Sequence, residues 1–314
     1  MLTIIVQINH VSIESMDAPQ EHLSPKQVAR AIGVSESSLK RWCDSGRIPT
    51  SRTAGGHRRL RVADVVRFVR EEQHPLAAPE VLGLPAVTDG AQLGLRRGGE
   101  RLADALLAGQ DEAARRLLFD LYLAGHSLSV LCDQVIAVAL HEIGHRWECR
   151  TADVYQERRS CEIMQQVLSE FRRLIAPAEP EWTALGGTLE GDHYTLPGAM
   201  AELVLRDSGW SATNLGSSIP AESLAGAVAT QSPRMFWISV SHFGDEAQFV
   251  ARFAIVAEAC RRAGTILVVG GQKLADSVRQ QLDFTSHCDT MQQLESLARS
   301  LRKEWRKEPP VRDR

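Results

Sequence analysis

The chain lacks the marks of several large function classes. It contains no GxxxxGK[ST], no GxSxG and no dinucleotide-type GxGxxG run, so a phosphate-cradling loop, a nucleophile elbow and a dinucleotide fingerprint are all excluded. No stretch approaches the run of about 18 apolar residues that a bilayer-spanning helix needs, so no membrane partner is expected. The six cysteines, Cys43, Cys132, Cys149, Cys161, Cys260 and Cys288, form no CxxC pair and no dense framework. Such scatter fits reduced thiols in a cytoplasmic protein. Residues 1–20 have a few apolar positions but no basic n-region, and are read as a flexible N-terminus rather than a signal peptide. A surplus of positive charge is missing too, with Lys plus Arg at 36 against Asp plus Glu at 39. Taken whole, that balance argues against nucleic acid.

The average hides an asymmetry. Between Glu21 and Pro75 there are 11 Lys/Arg against 6 Asp/Glu, a local net of +5, which leaves −8 for the rest of the 314 residues. A small basic module therefore sits on an acidic body.

The module reads LSPKQVARAIGVSESSLKRWCDSGRIPTSRTAGGHRRLRVADVVRFVREEQ from Leu23. Ser24 before Pro25 is an N-cap followed by a first-turn proline, and Gly33 stops that helix. Ser35 caps a second helix whose inward face is Leu39 and Trp42. Two short helices joined through GVS give the helix-turn-helix geometry, in which the second helix enters the major groove. Ser37, Ser38, Lys40 and Arg41 lie on its outward face. Two extended pieces around Gly55-Gly56 then form a hairpin wing carrying Arg52, His57, Arg58 and Arg59, suited to a phosphate backbone. Val62 to Gln73 returns as an amphipathic helix. The Val-Ser cap, the Leu-Lys-Arg-Trp core and the Arg-Thr, Gly-Gly, His-Arg-Arg wing resemble the winged helix-turn-helix of MerR-type transcriptional regulators. That resemblance implies a double-stranded DNA operator as partner.

Residues 76–97, rich in Pro, Gly and Ala and without heptads, read as a linker. Residues 98–176 read as a four-helix bundle broken at Gly109, Gly125 and Arg150-Thr151. From 181 to 308 the strand-like runs WTALGG, WSATNLG, MFWISVS and TILVVGG alternate with helical patterns. That rhythm predicts an α/β doubly wound, flavodoxin-like parallel sheet with ligands at the carboxyl ends of its strands. The chain is thus expected to be multidomain: winged helix-turn-helix, bundle, sheet.

This order resembles the cobalamin-binding light-sensing repressors of the CarH type. Trp147 in HEIGHRW matches the tryptophan that lies over the upper face of the corrin, and Glu157 matches the glutamate of a Glu-His pair. The histidine of that pair is Arg158 here, and the histidine after the tryptophan is Glu148. The lower-ligand motif, Asp/Glu-x-His-x-x-Gly, maps to Asp192-His193-Tyr194-Thr195-Leu196-Pro197. Asp192 is kept, Tyr194 stands at the axial histidine, and His193 is one residue out of register. Ser239, Ser241, Gly270 and Gly271 stand where that family lines its nucleotide-tail pocket.

Several readings of the C-terminal region follow. In the favoured one it is a sensory and oligomerisation unit that has lost cobalamin binding through an axial histidine, with no resident metal, and supports a dimer or tetramer. In a second, adenosylcobalamin binds without a protein axial ligand, held by Trp147, Glu157 and the tail pocket. A third places haem on His141, His145 or His193 and the cysteines. His141-Glu142-Ile143-Gly144-His145 also fits HExxH, the helix signature of zinc metalloproteases, but it lacks the extended metzincin pattern. A corrinoid-carrying methyltransferase subunit is the enzyme rival from fold. The basic module argues instead for a non-enzymatic regulator, on the repressor side.

Overall fold

A computed structural model describes residues 21–86, 94–176 and 180–307. The N-terminal segment read as flexible, 1–20, lies outside them, as do 87–93 of the expected linker.

The N-terminal module starts with α1 (Pro25–Ile32), fixed by a reciprocal capping box between Ser24 and Gln27. Gly33 ends it in the left-handed region, at φ 79°. In α2 (Glu36–Asp44) the Ser35 hydroxyl accepts from the Ser38 amide. The wing is the hairpin of β2 (Ser51–Arg52) and β3 (Arg58–Arg61). A third strand, β1 (His22–Leu23), pairs antiparallel with the far side of β3. Helix α3 (Val62–Glu71) closes the module, burying Val65, Val66, Phe68 and Val69.

Part of the expected linker is packed structure. A 3₁₀ turn spans Pro79–Leu82, Leu82 and Leu84 are buried, and the amides of Ala77 and Ala78 both donate to the Ala31 carbonyl. Arg115 of the bundle holds the Gly83 carbonyl at 2.9 Å. Its composition signalled a loop, but four apolar side chains, Leu76, Val81, Leu82 and Leu84, are enough to seat it on the core.

The bundle comprises α4 (Leu95–Ala108), α5 (Asp111–Leu123), a third helix and α8 (Val154–Leu174). The third helix runs from α6 (Leu128–Leu131) through a π turn (Cys132–Ile136) into α7 (Ala137–Glu148). The breaks between the bundle's helices fall at Gly109, Gly125 and Arg150, as the sequence reading expects.

The C-terminal sheet contains β4 (Thr183–Gly187), β5 (Ser211–Asn214), β6 (Met235–Ser239), β7 (Ile266–Gly270) and β8 (Ser286–His287). All pairs are parallel, in the order β5-β4-β6-β7-β8. This is the flavodoxin-type order, with its topological switch point between β4 and β6. Helices α9 (Leu196–Asp207) and α13 (Met291–Lys307) share one face's core, and α10 (Ala221–Gln231) and α11 (Glu246–Ala263) the other's. The short α12 (Asp276–Arg279) follows β7. The first face's core is continuous with the bundle and with the N-terminal module. Among the described residues, no helix is long and apolar enough to cross a membrane.

Polar contacts pin the parts together. Arg70 of α3 donates to the carbonyls of Tyr122 and His126, both at 2.9 Å, with its guanidinium 3.6 Å from the Tyr122 ring centroid. Asp207, at the end of α9, lies in the same junction; burial raises its carboxyl above the usual value, against the pull of Arg70. Glu202 of α9 is buried between Arg172 of α8 and Arg206. Asp133 in the π turn accepts from the Met291 and Gln292 amides, capping α13.

Candidate functional site

Two regions carry the residues singled out by the sequence: the outer face of the N-terminal module and the carboxyl rim of the sheet. In the first, Ser37, Lys40 and Arg41 are exposed and Ser38 is half-buried. The Ser35 hydroxyl contacts those of Ser37 at 2.9 Å and Ser38 at 3.0 Å, and Arg41 reaches the Ser38 hydroxyl at 3.3 Å. The first turn of α2 therefore presents polar groups held in a defined arrangement. Trp42 faces inward, 5.0 Å from the Phe68 ring, with Arg47 over both rings.

On the wing, Arg52 and His57 are exposed. The tip turns through Thr53–Gly56, closed by Gly56 N–H to the Thr53 carbonyl, with Gly56 at φ 78°. Arg59 is half-buried and bonds weakly to the Arg58 carbonyl at 3.4 Å. Arg58 is placed differently from a free phosphate contact: it is bound to Asp44 at 2.5 Å, tying the wing to the end of α2. Charge pattern alone could not distinguish it from its neighbours. Arg47 is likewise paired, with Glu72 at 2.7 Å.

At the sheet rim, Asp192 is 3% exposed and both its carboxylate oxygens accept hydrogen bonds. One oxygen accepts from the Ser241 and His242 amides at 2.6 and 3.1 Å, the other from the Tyr194 amide at 3.1 Å. It bridges the loops after β4 and β6 across the switch point. Thr188 and Ser218 extend the network: the Ser218 amide donates to the Thr188 hydroxyl, which donates to the Asp192 carbonyl, and the Gly191 amide donates to the Ser218 hydroxyl. His193 is exposed and Tyr194 is 56% exposed.

The tail-pocket positions are also filled from within. Ser239 is buried and Ser241 half-buried. A Cβ on Gly270 would lie 2.5 Å from the Cys288 carbonyl oxygen, and one on Gly271 2.1 Å from that of Val240. Gly271, at φ 134°, is where the β6 and β7 loops press together, so glycine is required there. An Asp whose two oxygens are both bound by backbone amides and a tyrosine at the ligand position do not fit a cobalamin held through a histidine.

The upper positions lie on the bundle. Trp147 continues the inward stripe of Ala139 and Ile143 but is 49% exposed at the helix end. Glu157 accepts from the Cys161 thiol at 3.5 Å; burial first, then Glu157 itself, pushes that thiol up to about 12. A cleft of about 380 Å³ separates bundle and sheet rim, lined by Arg96, Glu100, Asp133, Val138, His141 and Gln272 among others. Sequence reasoning singled out only His141 and Glu142 of the HExxH run from this lining set, because it joins α4, the π turn, α7 and the loop after β7. His141 and His145 are exposed, and Glu142 is held by Arg146 at 2.7 Å, itself paired with Asp104. Among the described residues, no group of three or more His, Cys, Asp or Glu converges as a metal site.

Two segments of the chain match known families. Residues 23–73 match the family described as "Helix-turn-helix domain", and residues 99–171 the one described as "B12 binding domain". The transcriptional repressor DcmR of Methylorubrum extorquens (strain DSM 6343 / CIP 106787 / DM4) is 46% identical over 55 residues, 17% of this chain. The match spans about a fifth of that repressor, 21% of its length. A Methanosarcina barkeri monomethylamine corrinoid protein superposes with a TM-score of 0.55 at 15% identity, over 66% of this chain and all of that one. At that identity the likeness is one of fold. The chain therefore combines a helix-turn-helix domain with a cobalamin-binding-like region.

Proposed function

We propose that the protein is a sequence-specific DNA-binding transcriptional regulator of MerR type, acting as a repressor rather than an enzyme. The observation that carries this reading is the exposed, serine-braced first turn of α2 beside the wing's Arg52 and His57, on a module of net charge +5. Lys40 and Arg41 supply base-edge and phosphate contacts in the major groove; Arg52, His57 and Arg59 straddle the backbone. Arg58 acts by fixing the wing against α2 through Asp44.

In this reading the bundle and sheet form a cytoplasmic sensory and self-association unit that holds no cobalamin through a protein histidine. The engaged Asp192 and Tyr194 at the ligand position support that assignment. The Arg70 junction gives a route by which the C-terminal parts bear on α3.

Selection of bound duplexes from a random pool by the full chain tests the DNA-binding role. The expected result is enrichment of one sequence class, lost at individual base positions in Lys40→Ala and Arg41→Ala, each altered position costing about 1–3 kcal/mol. A pool that stays random would reject the proposal.

A further inference from the structure

Gly186, Ser239 and Gly270 lie at the carboxyl ends of β4, β6 and β7. Gly186 is in register with Trp237, and Ser239 with Gly270. Register partners in a parallel sheet share a face, and positions two apart on a strand do too. All three small residues therefore lie on the face of Trp237, whose core is shared with α9 and α13. Such a row leaves a recess between sheet and helices. Here the chain fills it. A Cβ on Gly186 would lie 2.0 Å from Cδ2 and 2.2 Å from Cε2 of Trp237, so the indole is spread over the glycine. The Cys288 carbonyl closes the Gly270 end.

Trp237 is 3% exposed, and its indole N–H has no hydrogen-bond partner among the described residues. Buried tryptophans usually find one. What this residue contributes at its position is volume, in the form of a flat fused five-six ring. A benzimidazole, the base of a cobalamin nucleotide tail, is also a flat fused five-six ring.

We propose that Trp237 determines what the sheet domain accepts: its indole fills the recess that a nucleotide tail would enter, so a corrinoid can be held only with its tail outside. This rests on the cobalamin-binding-like reading of the C-terminal region and is independent of the DNA-binding role.

The test is equilibrium dialysis of the full chain with hydroxocobalamin and with diaquacobinamide, which keeps the corrin and lacks the tail base. The wild-type arm reads the loss of binding through histidine; the comparison of Tyr194→His with Tyr194→His/Trp237→Gly reads Trp237 itself. Tyr194 is exposed, so its replacement leaves the fold intact. The Tyr194→His chain is expected to bind the two corrinoids alike, or neither. The double variant is expected to prefer hydroxocobalamin by about tenfold or more. A preference of that size in Tyr194→His with the indole in place would overturn the proposal. So would a double variant, folded by circular dichroism, that shows no such preference. If glycine unfolds the sheet, Trp237→Ala in the same background takes its place, with the same outcomes.

Discussion

With its carboxylate held by the amides of Ser241, His242 and Tyr194, Asp192 serves the structure of the rim rather than a ligand. Three backbone amides donate to it, that of half-buried Ser241 and those of exposed His242 and Tyr194. Asp192→Ala leaves them without an acceptor at about 1–3 kcal/mol for each group that water cannot reach, so its unfolding midpoint in urea should fall well below that of the wild type. Asp192→Asn keeps one carbonyl oxygen and should fall between the two. Equal midpoints for wild type and Asp192→Ala would show that the rim does not need this staple. The same residue shows where sequence reading reaches its limit. The acid survives at its motif position, so sequence alone assigns it to a histidine's partner. Only the fold reveals that the loop after β6 has taken both lone-pair directions of one oxygen. Arg58 is parallel: a wing arginine by charge, a tie to Asp44 by geometry.

At the scale of elements, the bundle depends on close approach between α4 and α7. Gly99 makes this possible: a Cβ there would sit 2.8 Å from Val138 Cγ1 and 3.3 Å from the Val135 carbonyl. Gly99→Ala should therefore destabilise the chain by about 1–3 kcal/mol through overpacking, although alanine is the better helix former. A melting temperature unchanged or raised in that variant would refute the contact. Helix periods, caps and glycine stops made α1 to α5, α7 and α8 legible from sequence, and apolar runs gave β4 to β7. The two-residue strands β1 and β8 were not legible, because two residues carry no periodicity. The π turn was hidden as well; one extra residue per turn leaves the apolar spacing of α6 and α7 almost unchanged. Residues 76–84 looked like a linker because they open a stretch, 76–97, rich in proline, glycine and alanine and without heptads, while the burial of Leu82 and Leu84 depends on partners far along the chain.

For the whole molecule, the opening charge balance resolves into a basic face and an acidic body joined at the Arg70 junction. The module's core is continuous with the bundle, so DNA binding and the state of the C-terminal parts share one packed structure. The most direct measurement is the affinity of the full chain for its selected duplex and for an unrelated one across a range of NaCl concentrations. The expected logarithmic slope is about −0.9 per phosphate neutralised on both duplexes. Affinity for the selected duplex is expected to be at least about 10³-fold tighter. Equal affinity on the two duplexes, or a slope near zero, would contradict the proposed DNA-binding role.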